Sequence, residues 1–403
     1  MADPKTCPPL TRASVVAAHD VVRPHVHRTP VLTNSTLTRL ASTPAGDRPG
    51  DLEAAGGDKQ AEGEYRKKEE EKKARPVIRL WFKCENLQRV GAFKVRGAFH
   101  AVERLKADEG WVAGGGLKRG VVTHSSGNHA QALALAARES GIPAHIIMPE
   151  ISAPGKVAAT KGYGANVVFS GSTSVEREAV AARVTAETGA TLVPPYDHPD
   201  IVLGQGTMGL EFQDQVAELM AAESSSSSSG SAGEKKKDGG KKDGLDAIIT
   251  PCGGGGMLSG VALSCEGTGI RVFGAEPSFQ GADDCRRGLA AGKRVESVST
   301  LTIADGLRTP VGAIPWGIIH DRKLVQAVFA VTEAQIAAAL RLVLERMKVV
   351  VEPSSAVPLA VVLFNEEFRA LVEREAGPEG WDVGVVFSGG NVGLDKLGML
   401  FGS

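Results

Sequence analysis

Short β-branched runs alternate along the chain with segments whose apolar residues recur every three or four positions. The first pattern predicts strands over Val77–Phe82, Gly120–Thr123, Ala144–Met148, Asn166–Phe169, Asp246–Thr250, Arg271–Ala275 and Val383–Phe387. The second predicts helices over His129–Ser140, Ser174–Thr188, Met257–Cys265 and Thr332–Met347. Such alternation is the pattern of parallel sheets flanked by helices, an α/β fold. In these sheets ligands sit beyond the carboxyl ends of the strands, so the loops just after strands are where chemistry is to be sought. Two stretches break the pattern: 42–75, with PAGDRPGDLEAAGGDKQAEGEYRKKEEEKKAR, and 223–243, with six consecutive serines and then SAGEKKKDGGKK. Too little apolar area can be buried there to order the chain, so both read as disordered surface insertions. A Lys-rich interaction tail is the alternative.

At roughly 150 residues per domain, 403 residues make two or three domains, and 42% hydrophobic residues fill a sizeable core. Lys plus Arg total 46 against 47 for Asp plus Glu, a net charge of -1 without the basic excess that would offset a phosphate backbone. No nucleic-acid partner is expected. No apolar run approaches the roughly 18 residues that span a bilayer, and Met1–Arg12 carries Pro and charge where a signal peptide would be apolar. A soluble cytoplasmic protein with no membrane partner is the expectation. The cysteines (Cys7, Cys84, Cys252, Cys265 and Cys285) are odd in number and contain no C-x-x-C pair, which speaks against a disulfide framework or a zinc site.

Three loops and a lysine stand out. PCGGGGMLSG, Pro251–Gly260, follows the strand DAIIT and opens a helix. Adjacent glycines let the backbone approach a ligand closely, and a helix start aims N–H groups and partial positive charge at one point, as a phosphate cradle requires. It lacks dinucleotide G-x-G-x-x-G spacing, and a structural turn is the alternative. THSSGNHAQA, Thr123–Ala132, groups Ser125, Ser126 and Asn128 with helix-opening N–H groups suited to a carboxylate; an N-cap alone would explain one hydroxyl. FSGGNVGLD, Phe387–Asp395, puts Ser388 at a strand end, though a plain turn would use the same residues. Lys94, in ENLQRVGAFKVRGA, lies between Phe93 and Val95. Buried, its amine would lose its proton readily; exposed, it would simply snorkel past apolar neighbours.

In this order GAFKVRGA, HSSGNHAQA, GGGGMLSG, EPSSAVPLA and SGGNVGLD resemble the pyridoxal-phosphate enzymes of the serine racemase and serine/threonine dehydratase family, from about Leu10 to Leu397. ERMKVVVEPSSAVPLAVVL, and GAEP followed by ADDC, resemble the serine racemases in particular. The chain ends at Ser403, without room for the regulatory domain that biosynthetic threonine dehydratases usually carry. The resemblance implies the two-domain tryptophan-synthase-β-like fold (PLP fold type II): a small domain over 120–197 and a large cofactor-binding domain made of 1–119 and 198–403, each an open, mostly parallel sheet flanked by helices. It also implies a homodimer.

By the same resemblance Lys94 carries pyridoxal 5'-phosphate with Phe93 beside the ring. Gly253, Gly254, Gly255, Gly256 and Met257 hold its phosphate, Asn128 partners the ring hydroxyl, and Ser388 the pyridine nitrogen. Ser125, Ser126, Gly127, Asn128 and His129 meet the amino-acid substrate. A serine hydroxyl, unlike a carboxylate, does not hold the pyridine nitrogen strongly protonated, which favours prompt elimination or reprotonation at Cα over transamination. Lys94 can take the Cα proton from one face, and Ser126 matches the serine that serves the other face in the racemases. The implied metal ligands are Glu276, the carbonyl of Ala282 and Asp284, oxygen donors suited to Mg²⁺, or to Ca²⁺ or Mn²⁺, in a loop with two extra residues around Phe279 and Gln280. Arg177 aligns with an arginine near the active-site mouth that could pair with a second substrate carboxylate; a helix-surface ion pair with Glu178 or Glu187 is the alternative.

The expected activity is dehydration or racemisation of serine, threonine or threo-3-hydroxyaspartate, dehydration first. The competing expectations are a β-replacement synthase of the cysteine-synthase type and a non-catalytic amino-acid-binding protein.

Overall fold

The computed structural model describes residues 6–44, 47, 73–125, 127–152, 154–171, 174–227 and 244–402. Among the described residues ten strands form two sheets. β1 (Val31–Thr33), β2 (Ile78–Cys84), β7 (Ala247–Pro251), β8 (Arg271–Pro277), β9 (Ala327–Val331) and β10 (Trp381–Phe387) make a six-stranded sheet in the order β1-β2-β10-β7-β8-β9. β3 (Val121–His124), β4 (Ala144–Pro149), β5 (Asn166–Ser170) and β6 (Thr191–Leu192) make a four-stranded sheet in the order β5-β4-β3-β6. Every pairing is parallel except β1 with β2. The predicted strands recur within a few residues of their expected ends. β1, β6 and β9 are additions: the first two are too short to display a period.

The helix Pro199–Ser227 packs against both the Lys94–Ala107 helix and the Gly256–Cys265 helix. Glycines allow backbone to meet backbone at both crossings. A Cβ on Gly204 would fall 2.7 Å from the Cα of Gly97, and one on Gly260 would fall 2.4 Å from the carbonyl of Val202. One element therefore fixes the lysine helix and the glycine-loop helix relative to each other. It also runs to Ser227, so 223–227 correct the expected start of the second insertion. Ser224 and Ser225 return their hydroxyls to the carbonyls of Met220 and Ala222, satisfying groups of the last turns. The remainder of that insertion, and most of the first, lie outside the described residues.

Beneath the lysine helix lies a fully buried charge cluster. Arg96 makes paired hydrogen bonds to Glu85, both 2.8 Å, and to Glu211 at 2.9 and 2.8 Å. Lys83 completes it, donating to Glu211, Gln215 and the carbonyl of Thr29. Two positive and two negative groups balance, and nearly every polar atom is partnered, the condition under which buried ions are tolerated.

Candidate active site

The turn before Lys94 is strained and stitched to the third loop. Val90 has φ 55°, a left-handed conformation unfavourable for a β-branched residue, and Gly91 follows at φ 67°. Asn391 donates to the Val90 carbonyl at 2.7 Å, Gly390 N–H to that of Gly91 at 2.9 Å, and Phe93 N–H to that of Ser388 at 3.0 Å. These bonds offset the strain and set the first residue of the Lys94–Ala107 helix against the end of β10. Lys94 Nζ then donates to the carbonyl of Pro195 at 2.6 Å and lies 5.2 Å from the centroid of Phe93. Burial lowers its pKa to about 8, opposed by the charge of Glu352. Lys94 is half-buried, and its bond to the Pro195 carbonyl holds the amine inward rather than out in solvent.

Gly253–Met257 follow β7, and the helix starts at Gly256, with Gly255 at φ 82°. A Cβ on Gly254 would come within 2.3 Å of the Tyr196 ring, so only glycine lets this ring and the loop meet. Tyr196 follows directly on Pro195, the acceptor of Lys94, and Asp197 next to it caps the N–H groups of Ala313 and Ile314 at 3.0 and 2.9 Å. The segment 195–197 thus joins the lysine, the glycine loop and the 313–316 turn. No predicted element or motif marked this segment beforehand.

The second loop leaves β3 with Ser125 N–H bonded to the carbonyl of Ile147, and Gly127 N–H directed at Ser125 Oγ at 3.4 Å. Ser126 lies outside the described residues. Asn128 begins the next helix. Its Nδ2 donates to Glu352 Oε1 and Oε2 at 3.1 and 3.2 Å, and its Oδ1 accepts from Asn391 at 2.9 Å. His129 is buried, with Nε2 donating to the carbonyl of Val193; burial, then the charge of Lys94, lowers its pKa to about 3, so it is neutral. Arg177 is half-buried on the Ser174–Thr188 helix, and its charge acts on His124, the residue before Ser125.

Glu352 was missed as a candidate, although it lies in the quoted motif EPSSAVPLA. It is the one acid in the apolar run VVVEPSSAVPLAVVL. Burial, reinforced by Asp305, raises its pKa to about 7 against the hydrogen bonds from Asn128 and Asn391. Ser388 is buried, 3.0 Å from Ser355 Oγ, which also exchanges hydrogen bonds with the backbone of Gly389. The chain therefore brings Lys94 and Ser388 together by backbone bonds, Asn128 by side-chain bonds to Glu352 and Asn391, and the glycine loop through the 195–197 segment.

A family model for "Pyridoxal-phosphate dependent enzyme" matches residues 67–389. The chain belongs to the pyridoxal-phosphate dependent enzymes. Within that family it falls in the serine racemase and serine/threonine dehydratase group. It is 37% identical to serine racemase of Arabidopsis thaliana over 95% of this chain and 94% of that protein. It is 35% identical to beta-hydroxyaspartate dehydratase of Paracoccus denitrificans over 96% and 98%. The solved structure of maize serine racemase superposes with a TM-score of 0.74 at 36% identity, covering 96% of each chain. This pyridoxal-phosphate dependent enzyme has a donor set that suits its cofactor: an amine of lowered pKa, a glycine-lined helix start for a phosphate, and a buried serine.

The residues of the expected metal site surround the turn after β8. Glu276 is buried, its oxygens accepting from the N–H groups of Cys285 and Arg286 at 3.0 Å each. Burial raises its pKa, with Cys285 and Asp284 adding to the effect, and burial raises that of Asp284 to about 6. Ser278, Phe279 and Gln280 are exposed, and Gln280 has φ 50°, so the longer loop turns outward while Ala282 stays buried. Two buried acids whose ionisation is opposed by burial suit a cation. Among the described residues no helix is long and apolar enough to cross a membrane.

Proposed function

We propose that this enzyme dehydrates small β-hydroxy amino acids, L-serine, L-threonine or threo-3-hydroxyaspartate, to a 2-oxo acid and ammonia, and interconverts D and L forms at the same centre. The observation that carries this reading is the half-buried Lys94 amine, its pKa lowered to about 8, joined to Ser388 by the Phe93 backbone bond and to the glycine loop through Pro195 and Tyr196. Bound pyridoxal phosphate supplies an electron sink for the pair released at Cα. Lys94, once free, takes the Cα proton from one face, and Ser126 gives or takes it on the other. With Lys94 alone, loss of the β-hydroxyl follows and water delivers the 2-oxo acid and ammonia.

Gly253–Met257 would hold the phosphate by their N–H groups, with Phe93 beside the ring, Asn128 toward its oxygen and Ser388 toward its nitrogen. Ser125, Ser126, Gly127, Asn128 and His129 form the substrate-carboxylate side. Arg177 receives the second carboxylate of hydroxyaspartate. Glu276, Ala282 and Asp284 hold Mg²⁺ or a similar hard cation. A homodimer in the cytoplasm, with lobes 120–197 and 1–119 plus 198–403, completes the proposal.

A coupled assay for 2-oxo acid release, with the three substrates side by side and with or without Mg²⁺, tests it. Release from any of them supports the reading and ranks the substrates. No release from protein that still shows the visible band of the bound cofactor would overturn dehydration and turn attention to β-replacement.

A further inference from the structure

Behind the glycine loop the side chains of Cys252, Glu276 and Cys285 converge, each offering one ligand atom, and these atoms lie within 4.8 Å of one another. All three are buried, at 0%, 0% and 1% exposure. They come from three elements that backbone bonds lock together. Cys252 directly follows β7, and its N–H donates at 2.8 Å to the carbonyl of Ala275 on β8, so Cys252 and Glu276 are held by the same ladder. The N–H groups of Cys285 and Arg286 grip the two oxygens of Glu276, which places the start of the Asp284–Ala291 helix over the carboxylate.

Two sulfurs and one carboxylate oxygen are the donor set of a borderline-soft cation, whereas a hard ion takes oxygen ligands alone. We propose that Cys252, Cys285 and Glu276 form a binding site for a thiophilic divalent cation of the Zn²⁺ class. Binding displaces both thiol protons, and the carboxyl proton where Glu276 holds one, to solvent, and the ion forms two metal–sulfur bonds and one metal–oxygen bond without any change in oxidation state. Two thiolates, a carboxylate and a divalent ion carry one net negative charge, which the N-terminal N–H groups and dipole of the Asp284–Ala291 helix favour. An ion there would clamp Cys252, and with it Gly253 at the start of the glycine loop, to β8 and this helix. The site shares Glu276 with the oxygen-ligand site proposed above, so the two ions are alternatives at that carboxylate, and the sulfur neighbours, whose detection needs no turnover, tell them apart.

The test uses holoenzyme treated with chelator, given Zn²⁺, desalted, and examined by metal analysis and zinc-edge X-ray absorption. The expected result is about one retained zinc ion per chain with about two sulfur neighbours at about 2.3 Å. Cys252→Val and Cys285→Ala should each lower the sulfur count to about one and weaken retention. A shell of oxygen and nitrogen alone in the wild-type protein overturns the proposal whether or not the variants fold. So does a single sulfur accompanied by nitrogen, which would point to the cluster of Cys7, His198 and Asp200. A two-sulfur shell unchanged by Cys252→Val, in protein of native circular dichroism, overturns it as well.

Discussion

Glu352 and Asn128 stand 224 residues apart in sequence and meet side chain to side chain, the amide nitrogen 3.1 and 3.2 Å from the two carboxylate oxygens. Asn391 closes the group from the third loop, bonding its own side-chain amide to Asn128 and its backbone N–H to Glu352 at 3.2 Å. The orientation of the Asn128 amide is therefore set by a buried acid that prefers to be protonated below about pH 7. Protonation would turn one acceptor oxygen into a donor and loosen that grip.

Glu352→Gln should remove an acid limb with a midpoint near pH 7 from the kcat/KM profile. Stability supplies a second readout with a definite sign. The folded carboxyl holds its proton up to about pH 7, whereas the unfolded one loses it near its ordinary value of 4.5. Between those values the folded state binds more protons, so its stability falls as pH rises through the window. Denaturant melts at pH 5 and pH 8 should show a smaller difference for Glu352→Gln than for the native protein. An equal difference would remove Glu352 as the titrating group.

Gly254→Ala should weaken cofactor binding by about tenfold to a hundredfold, the 1–3 kcal/mol scale of an overpacked contact. The added methyl meets the Tyr196 ring at 2.3 Å, so either the ring or the phosphate loop must move. Titration of the stripped protein with pyridoxal phosphate, followed by visible absorption, reads the affinity. Unchanged affinity would show that Tyr196 yields freely. Tyr196→Ala in the same background should restore binding if the clash is the cause.

The loops were legible because their chemistry is local: four adjacent glycines after an apolar strand, or serines and asparagine before a helix, declare a strand-to-helix turn within ten residues. Glu352 was not, since its partners Asn128 and Asn391 come from other parts of the chain. Glu211 stands 128 residues after Lys83, and only the fold brings it together with Lys83, Glu85 and Arg96 into one dry cluster. Tyr196 carried no pattern at all, because its contact is with a missing side chain, that of Gly254. Lys94 illustrates the boundary: its neighbours Phe93 and Val95 left burial and exposure open, and the carbonyl of Pro195, about a hundred residues on, draws its amine inward.

Arg96→Met should destabilise the protein by about 3–5 kcal/mol, because it leaves Glu85 and Glu211 buried with one balancing cation instead of two. Arg183→Ala, which breaks an exposed pair with Glu187 on a helix surface, should cost less than about 0.5 kcal/mol. Denaturant unfolding of the two variants side by side makes the comparison internal. Similar losses would mean that water or a rearranged side chain relieves the buried acids.

Ser126→Ala separates the two reactions proposed for one centre. Elimination from an L-substrate needs proton removal on the Lys94 face only, whereas interconversion needs a proton donor on the opposite face as well. The variant should lose D/L interconversion by about a hundredfold or more, the usual scale for a positioned acid or base, while 2-oxo acid release from L-serine changes by less than about threefold. Chiral chromatography of the amino acid and the coupled 2-oxo acid assay, run on the same reaction mixture, give both rates from one sample. Proton exchange at Cα in deuterated water adds a diagnostic readout: exchange with retained configuration should continue on the Lys94 face when inversion has stopped. Equal loss of both rates would limit Ser126 to binding the substrate carboxylate and leave the second face to another group.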